Sequence, residues 1–136
     1  MGKESVACII SFGTKVLLGK RLPCGDMGSR WEFPGGKVEP NESHGQAVER
    51  EIFEEFGVSA HVKNFICDTV FENHEHTFHL FAYEVFVSND IADFCLAEHS
   101  KVDWFDVEEI PSLDFVDSDM QLYPAVKKYL LERTNG

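Results

Sequence analysis

Residues 34–58 read PGGKVEPNESHGQAVEREIFEEFGV. Ala47, Val48, Ile52 and Phe56 recur at helical spacing, which predicts a helix over Ser43–Phe56 with one apolar stripe. Asn41 or Ser43 can cap its first free amides. Gly57 supplies the left-handed stop. Into this helix are packed glutamates that an ordinary surface helix does not need. On a wheel of about 100° per residue, Glu51, Glu54 and Glu55 fall within about 100° of one another, because spacings of three and four return to the same face. Arg50 can pair with Glu54, which leaves excess negative charge on one ridge. The ridge has three outlets: solvation, retention of a proton by one carboxyl, or capture of a divalent cation by hard carboxylate oxygens. Pro34-Gly35-Gly36 reads as a turn on the ligand side. Glycine lets backbone come close to a ligand, and a carbonyl there can complete a cation's shell.

Outward from this segment, Val6–Ser11 and Lys15–Lys20 read as a strand hairpin around Gly13-Thr14. Arg21–Arg30 reads as a loop and Trp31–Phe33 as a short strand. Val62–Val70 and Thr77–Val87 read as strands, with Glu72–His76 a polar turn between them. Asn89–Cys95 reads as a loop or short element. Val102–Phe105 reads as a strand, followed by a turn or short helix. Leu122–Leu131 reads as a closing helix with Pro124 in its first turn. The order predicts an α+β chain, a mixed sheet with helices packed outside it as an α/β/α sandwich, in one domain over residues 1–136.

The chain has 136 residues, with 12 Lys and Arg against 24 Asp and Glu. The formal net charge of -12 argues against binding to a polymeric nucleic acid backbone, which needs basic surface. It favours cation capture. Cys8, Cys24, Cys67 and Cys95 show neither a CxxC pair nor zinc spacing, so they read as free thiols in a reducing compartment. No signal peptide or membrane span is legible, and a cytoplasmic location is expected. His74, His76 and His79 read as turn and strand residues rather than a zinc set.

Gly36, five residues, Glu42, seven residues, then Arg50-Glu51-Ile52-Phe53-Glu54-Glu55-Phe56-Gly57-Val58 resembles the Nudix signature at every defined position. With Trp31–Lys37 as its entrance, nearly the whole chain resembles the MutT-like branch. The resemblance implies a hydrolase of nucleoside diphosphates linked to another group, dependent on magnesium or manganese. It implies that Glu51, Glu54 and Glu55, the Gly35 carbonyl and Glu98, six residues ahead of Trp104, hold the metal. It gives Arg50 the task of orienting a glutamate, and Glu42 that of fixing the loop against the helix.

The implied reaction is water attack at the β-phosphorus of a nucleoside triphosphate, giving the monophosphate and pyrophosphate. Glu51, Glu54 or Glu98 is the base. Arg21 and Lys37 are candidate phosphate contacts. Phe33 and Phe78, with Trp31, offer stacking surface. Counting forward from Trp104 puts Asp119 where the branch has a base-reading asparagine. An ionised aspartate only accepts hydrogen bonds, so this departure leaves both 8-oxo-dGTP and CTP or a modified dCTP open; a helix cap is the bland role for Asp119. ADP-ribose or a dinucleoside polyphosphate is the alternative within the family. A silent nucleotide-binding module is the alternative outside catalysis, and its mark would be a broken glutamate set. Here the set is complete. Oligomeric state leaves no signal in the sequence.

Overall fold

The computed structural model describes residues 3–135. Seven strands run β1 (Lys3–Phe12), β2 (Lys15–Arg21), β3 (Trp31–Glu32), β4 (Gly35–Lys37), β5 (His61–Asn73), β6 (His76–Phe86) and β7 (His99–Asp106). Two α-helices, α1 (His44–Phe56) and α2 (Asp117–Asn135), are joined by 3-10 turns at Ile91–Asp93 and Val107–Ser112. The sheet is mixed, in the order β3-β2-β1-β6-β5, with β4 on β1 and β7 on β2. The β1–β6 pair is parallel; the other pairs are antiparallel.

β1 shows why helices cover both faces. Its side chains alternate, and both sets are buried. Val6, Cys8 and Ile10 pack with Ala47, Val48, Ile52 and Phe56 of α1. Ala7 and Ile9 pack with Leu122, Val126 and Leu130 of α2. β2 divides in the same way, Leu17 to the α1 side and Val16 and Leu18 to the α2 side. A strand apolar at every position needs a layer on each side. The result is the expected α/β/α sandwich.

Ser43 is the cap of α1: its side chain accepts from the Gln46 N–H, and the Gln46 side chain accepts from the Ser43 N–H. Gly57 ends the helix at φ 72°, with its N–H on the Phe53 carbonyl at 2.8 Å. Fully burying Ile52 or Phe56 contributes about 1.5–3 kcal/mol each. Like-charge pairs on the ridge cost only a few tenths of a kcal/mol each. Core burial therefore outweighs the glutamate crowding.

Several local readings change. Gly35 and Gly36 lie in β4, paired with Ala7 and Val6 of β1, rather than in a turn. The polar turn after β5 shrinks to His74 and Glu75, both at positive φ, because β5 and β6 pair as far as Asn73 and His76. This is the two-residue geometry that matches strand twist. Pro124 lies inside α2, not in its first turn, because the helix starts at Asp117.

Candidate active site

Arg50 organises the N-terminal side of the site. Its Nε donates to Glu42 Oε2 at 2.7 Å and its Nη2 to Glu42 Oε1 at 3.0 Å, a two-pronged pairing. Nη2 also donates to the Lys37 carbonyl at 2.8 Å, tying β4 to the helix. Nη1 reaches Glu51 Oε1 at 2.9 Å and Glu54 Oε1 at 3.1 Å. The Arg50 guanidinium, helped by the Glu39 N–H, holds the Glu42 carboxyl down at about 2. Glu42 is thus an anchor between loop and helix.

Behind this anchor, one carboxylate oxygen each from Glu51, Glu55 and Glu98 lies within 4.8 Å of the others. Glu55 is 1% exposed, and its Oε2 has no hydrogen-bond partner among the described residues. Burial, then the Glu51 and Glu98 charges, push the Glu55 carboxyl up to about 10. Burial also raises Glu51, against the pull of Arg50. The last turn of α1 has no basic residue, so the helix dipole adds negative potential at the same place. An unpaired buried carboxylate costs several kcal/mol. An orphaned oxygen among three hard donors at a helix C-terminus fits a divalent cation such as magnesium. Gly36 makes room for it: a Cβ there would come within 2.4 Å of the Glu51 carboxyl carbon. Glu54 lies outside the three, half exposed, its carboxyl on Arg50.

Beside the cluster opens a cavity of about 440 Å³. Glu98, Gly35 and Gly36 form its cation end, and Arg21, Glu32, Phe33 and Asp119 are also in its lining. Arg21 Nη1 donates to Glu32 Oε1 at 3.1 Å, while its Nε is buried without a hydrogen-bond partner. Asp119 Oδ2 accepts from the Phe33 N–H at 2.9 Å. Asp119 therefore fastens α2 to the segment after β3 instead of capping its own helix. Burial, then Glu32, push its carboxyl from 3.8 to about 7, against the Phe33 N–H and Arg21.

The structure brings together Arg21, Phe33, Gly35, Glu98 and Asp119 around one cavity. Three expected contacts fall outside that lining. The Lys37 side chain is exposed, Trp31 packs edge-on against Phe105 at 4.8 Å, and Phe78 stacks on its cross-strand neighbour Phe71 at 5.2 Å while Phe71 takes the wall. Sequence reasoning gave no role to Phe71, Glu32 or His99. The signal for Glu32 was an acid between Trp31 and Phe33, in a strand otherwise aromatic. His99 carried no signal beyond following Glu98.

Three clustered carboxylates and a clamped arginine beside a cleft fit a metal-assisted hydrolase, and comparison with known proteins agrees. Residues 2–126 match the NUDIX domain. A CTP pyrophosphohydrolase of Escherichia coli (strain K12) is 37% identical over 123 residues, covering 90% of this chain and 89% of that protein. A putative 8-oxo-dGTP diphosphatase 2 of Mycobacterium tuberculosis is 31% identical, covering 84% of this chain and 80% of that protein. The solution structure of the E. coli ORF135 protein superposes with a TM-score of 0.79 at 32% identity, over 98% of this chain and 91% of that one. The chain belongs to the Nudix hydrolases. It is a pyrophosphohydrolase of that family, acting on a nucleoside diphosphate-linked substrate.

Proposed function

We propose that the protein hydrolyses a cytosine nucleoside triphosphate, CTP or a modified dCTP, to the monophosphate and pyrophosphate. The observation that carries this reading is Asp119, a buried carboxyl in the wall of the cavity. As a carboxylate it accepts from an exocyclic amino group such as that at C4 of cytosine. The CTP activity of the Escherichia coli relative supports the same choice. Phe33 and Phe71 supply apolar wall for the base. Arg21, in the lining of the same cavity, is the phosphate contact in this reading.

Magnesium, or manganese in its place, would be held by Glu51, Glu55, Glu98 and the Gly35 carbonyl, and supplies charge compensation for the phosphate chain. Arg50 and Glu42 keep the ridge and β4 in register. The proton of the attacking water goes to one of Glu51, Glu54 and Glu98, and Glu54, outside the cluster, is the one whose replacement leaves the cation's carboxylates in place. Glu54→Gln is expected to lower kcat at least about 100-fold with Mn²⁺ binding to the nucleotide-free protein unchanged. Near wild-type turnover rules out Glu54 as the base.

A second reading rests on the same Asp119. At about 7 the carboxyl is in part protonated near neutrality, and the protonated form donates to an oxidised purine such as 8-oxo-dGTP. A kcat/KM screen over canonical, modified and oxidised triphosphates and ADP-ribose separates the two. The cytosine reading expects CTP or a modified dCTP at least about 10-fold ahead, as one well-made base contact provides. A lead for 8-oxo-dGTP replaces it with the second reading, and a lead for ADP-ribose removes both.

A further inference from the structure

The His99 imidazole is 1% exposed at its side chain and lies between two carboxyls of different parts of the site. On one side its Nε2 is 2.8 Å from Glu32 Oε2. Glu32 in turn holds Arg21 through its other oxygen. On the opposite side Nδ1 is 3.7 Å from Glu55 Oε1 and has no hydrogen-bond partner among the described residues. The ring stacks on Phe56 at a centroid distance of 5.7 Å and an angle of 21°. Its other neighbour is Gly19, where a Cβ would come within 2.5 Å of the ring. The glycine in the middle of β2 thus leaves the space that the imidazole fills.

A break in strand register puts the ring there. Along β7, Val102 and Trp104 pack on the α1 side and Phe105 on the α2 side. Strict alternation would send His99 to the α2 side with Phe105. Lys20 pairs with Lys101, but Arg21 pairs with His99, so one residue of β7 is skipped. This bulge reverses the parity and turns His99 toward Glu55. The device is specific: a bulge, a glycine and an aromatic shelf all serve one imidazole, whose two nitrogens face the two ends of the cleft.

We propose that His99 is a positioning residue that holds Glu32 through Nε2 and packs its Nδ1 edge against Glu55 at 3.7 Å, so that one ring sets both the nucleotide edge and the cation edge of the site. The proposal rests on Glu55 holding the cation, as argued above. Groups that orient metal-binding side chains typically matter about 10–100-fold in metal affinity or activity.

The two nitrogens are tested separately. His99→Phe keeps the stack on Phe56 and removes both. Asn places an amide near the Nδ1 position, and Gln places one near Nε2. Mn²⁺ binding to the nucleotide-free protein is measured by calorimetry, and KM for the preferred nucleoside triphosphate at saturating Mg²⁺, with Glu55→Gln as the control. His99→Phe is expected to weaken Mn²⁺ binding at least about 10-fold and to raise KM. His99→Asn should recover Mn²⁺ affinity and not KM; His99→Gln should recover KM and not Mn²⁺ affinity. If His99→Phe does not fold, the Asn and Gln pair decides. Equal behaviour of Asn and Gln overturns the proposal, as does wild-type Mn²⁺ binding by His99→Phe when Glu55→Gln has lost it. Wild-type Mn²⁺ binding by Glu55→Gln overturns the cation reading beneath it.

Discussion

Asp119→Asn removes a titrating group while keeping an oxygen for the Phe33 N–H. In the folded protein the Asp119 carboxyl is pushed from 3.8 to about 7, chiefly by burial. The unfolded chain therefore gives up this proton about three pH units before the folded chain does. Between those values the folded state binds more protons, so stability falls as pH rises from about 4 to about 7, and this contribution is level above. At about 1.4 kcal/mol per pH unit, the full effect is about 4 kcal/mol. Asparagine stays neutral throughout. It is expected to be the more stable protein by about 2 kcal/mol at pH 5 and by about 4 kcal/mol at pH 8. Urea unfolding at both pH values, read by tryptophan fluorescence, measures the gap. Taking the difference between the two proteins cancels the titrating groups that do not interact with Asp119, Glu55 among them. A gap that does not widen between pH 5 and pH 8 refutes the argument that Asp119 is held as a buried acid. The same variant is expected to lose at least about 10-fold in kcat/KM on a cytosine triphosphate, so that stability is gained where recognition is lost.

Arg50→Lys keeps the charge and loses the two-pronged hold on Glu42; kcat is expected to fall about 10–100-fold, and a rate within about 3-fold of wild type would show that charge alone suffices. Gly35→Ala places a Cβ 2.0 Å from the Val6 carbonyl oxygen at φ 148°, so a loss of more than about 3 kcal/mol in urea unfolding is expected from combined overpacking and strain; a loss under about 1 kcal/mol contradicts the close approach of β4 to β1.

What could be read in advance divides by the range of the interaction that decides it. The helix α1, its Ser43 cap, its Gly57 stop and the clustering of Glu51 and Glu55 depend on residues within about one or two helical turns, and spacing carries that information. So does the double-sided burial of β1 and β2, because an unbroken apolar run needs two covering layers. The choice of wall residues depends on registers between distant segments. Phe71 and Phe78 are cross-strand partners and share one face of the sheet, so composition could not say which of them meets the cavity. Glu54 and Glu55 lie about 100° apart on a helical wheel, and Glu55 falls between Ala47 and Val48 on the buried side. What the wheel does not carry is the approach of Glu98 and His99 to Glu55, while Glu54 is half exposed and pairs with Arg50.

His99 is the furthest from legible, since its side depends on one skipped residue opposite the end of β2. With regular pairing the same sequence would send the imidazole to the other face, and Glu55 and Glu32 would lose the group between them. The Glu51 and Glu55 pair rests on a local motif, and the surroundings of Asp119 and His99 on tertiary register. The bulge at Ser100 is the point where those two kinds of information meet.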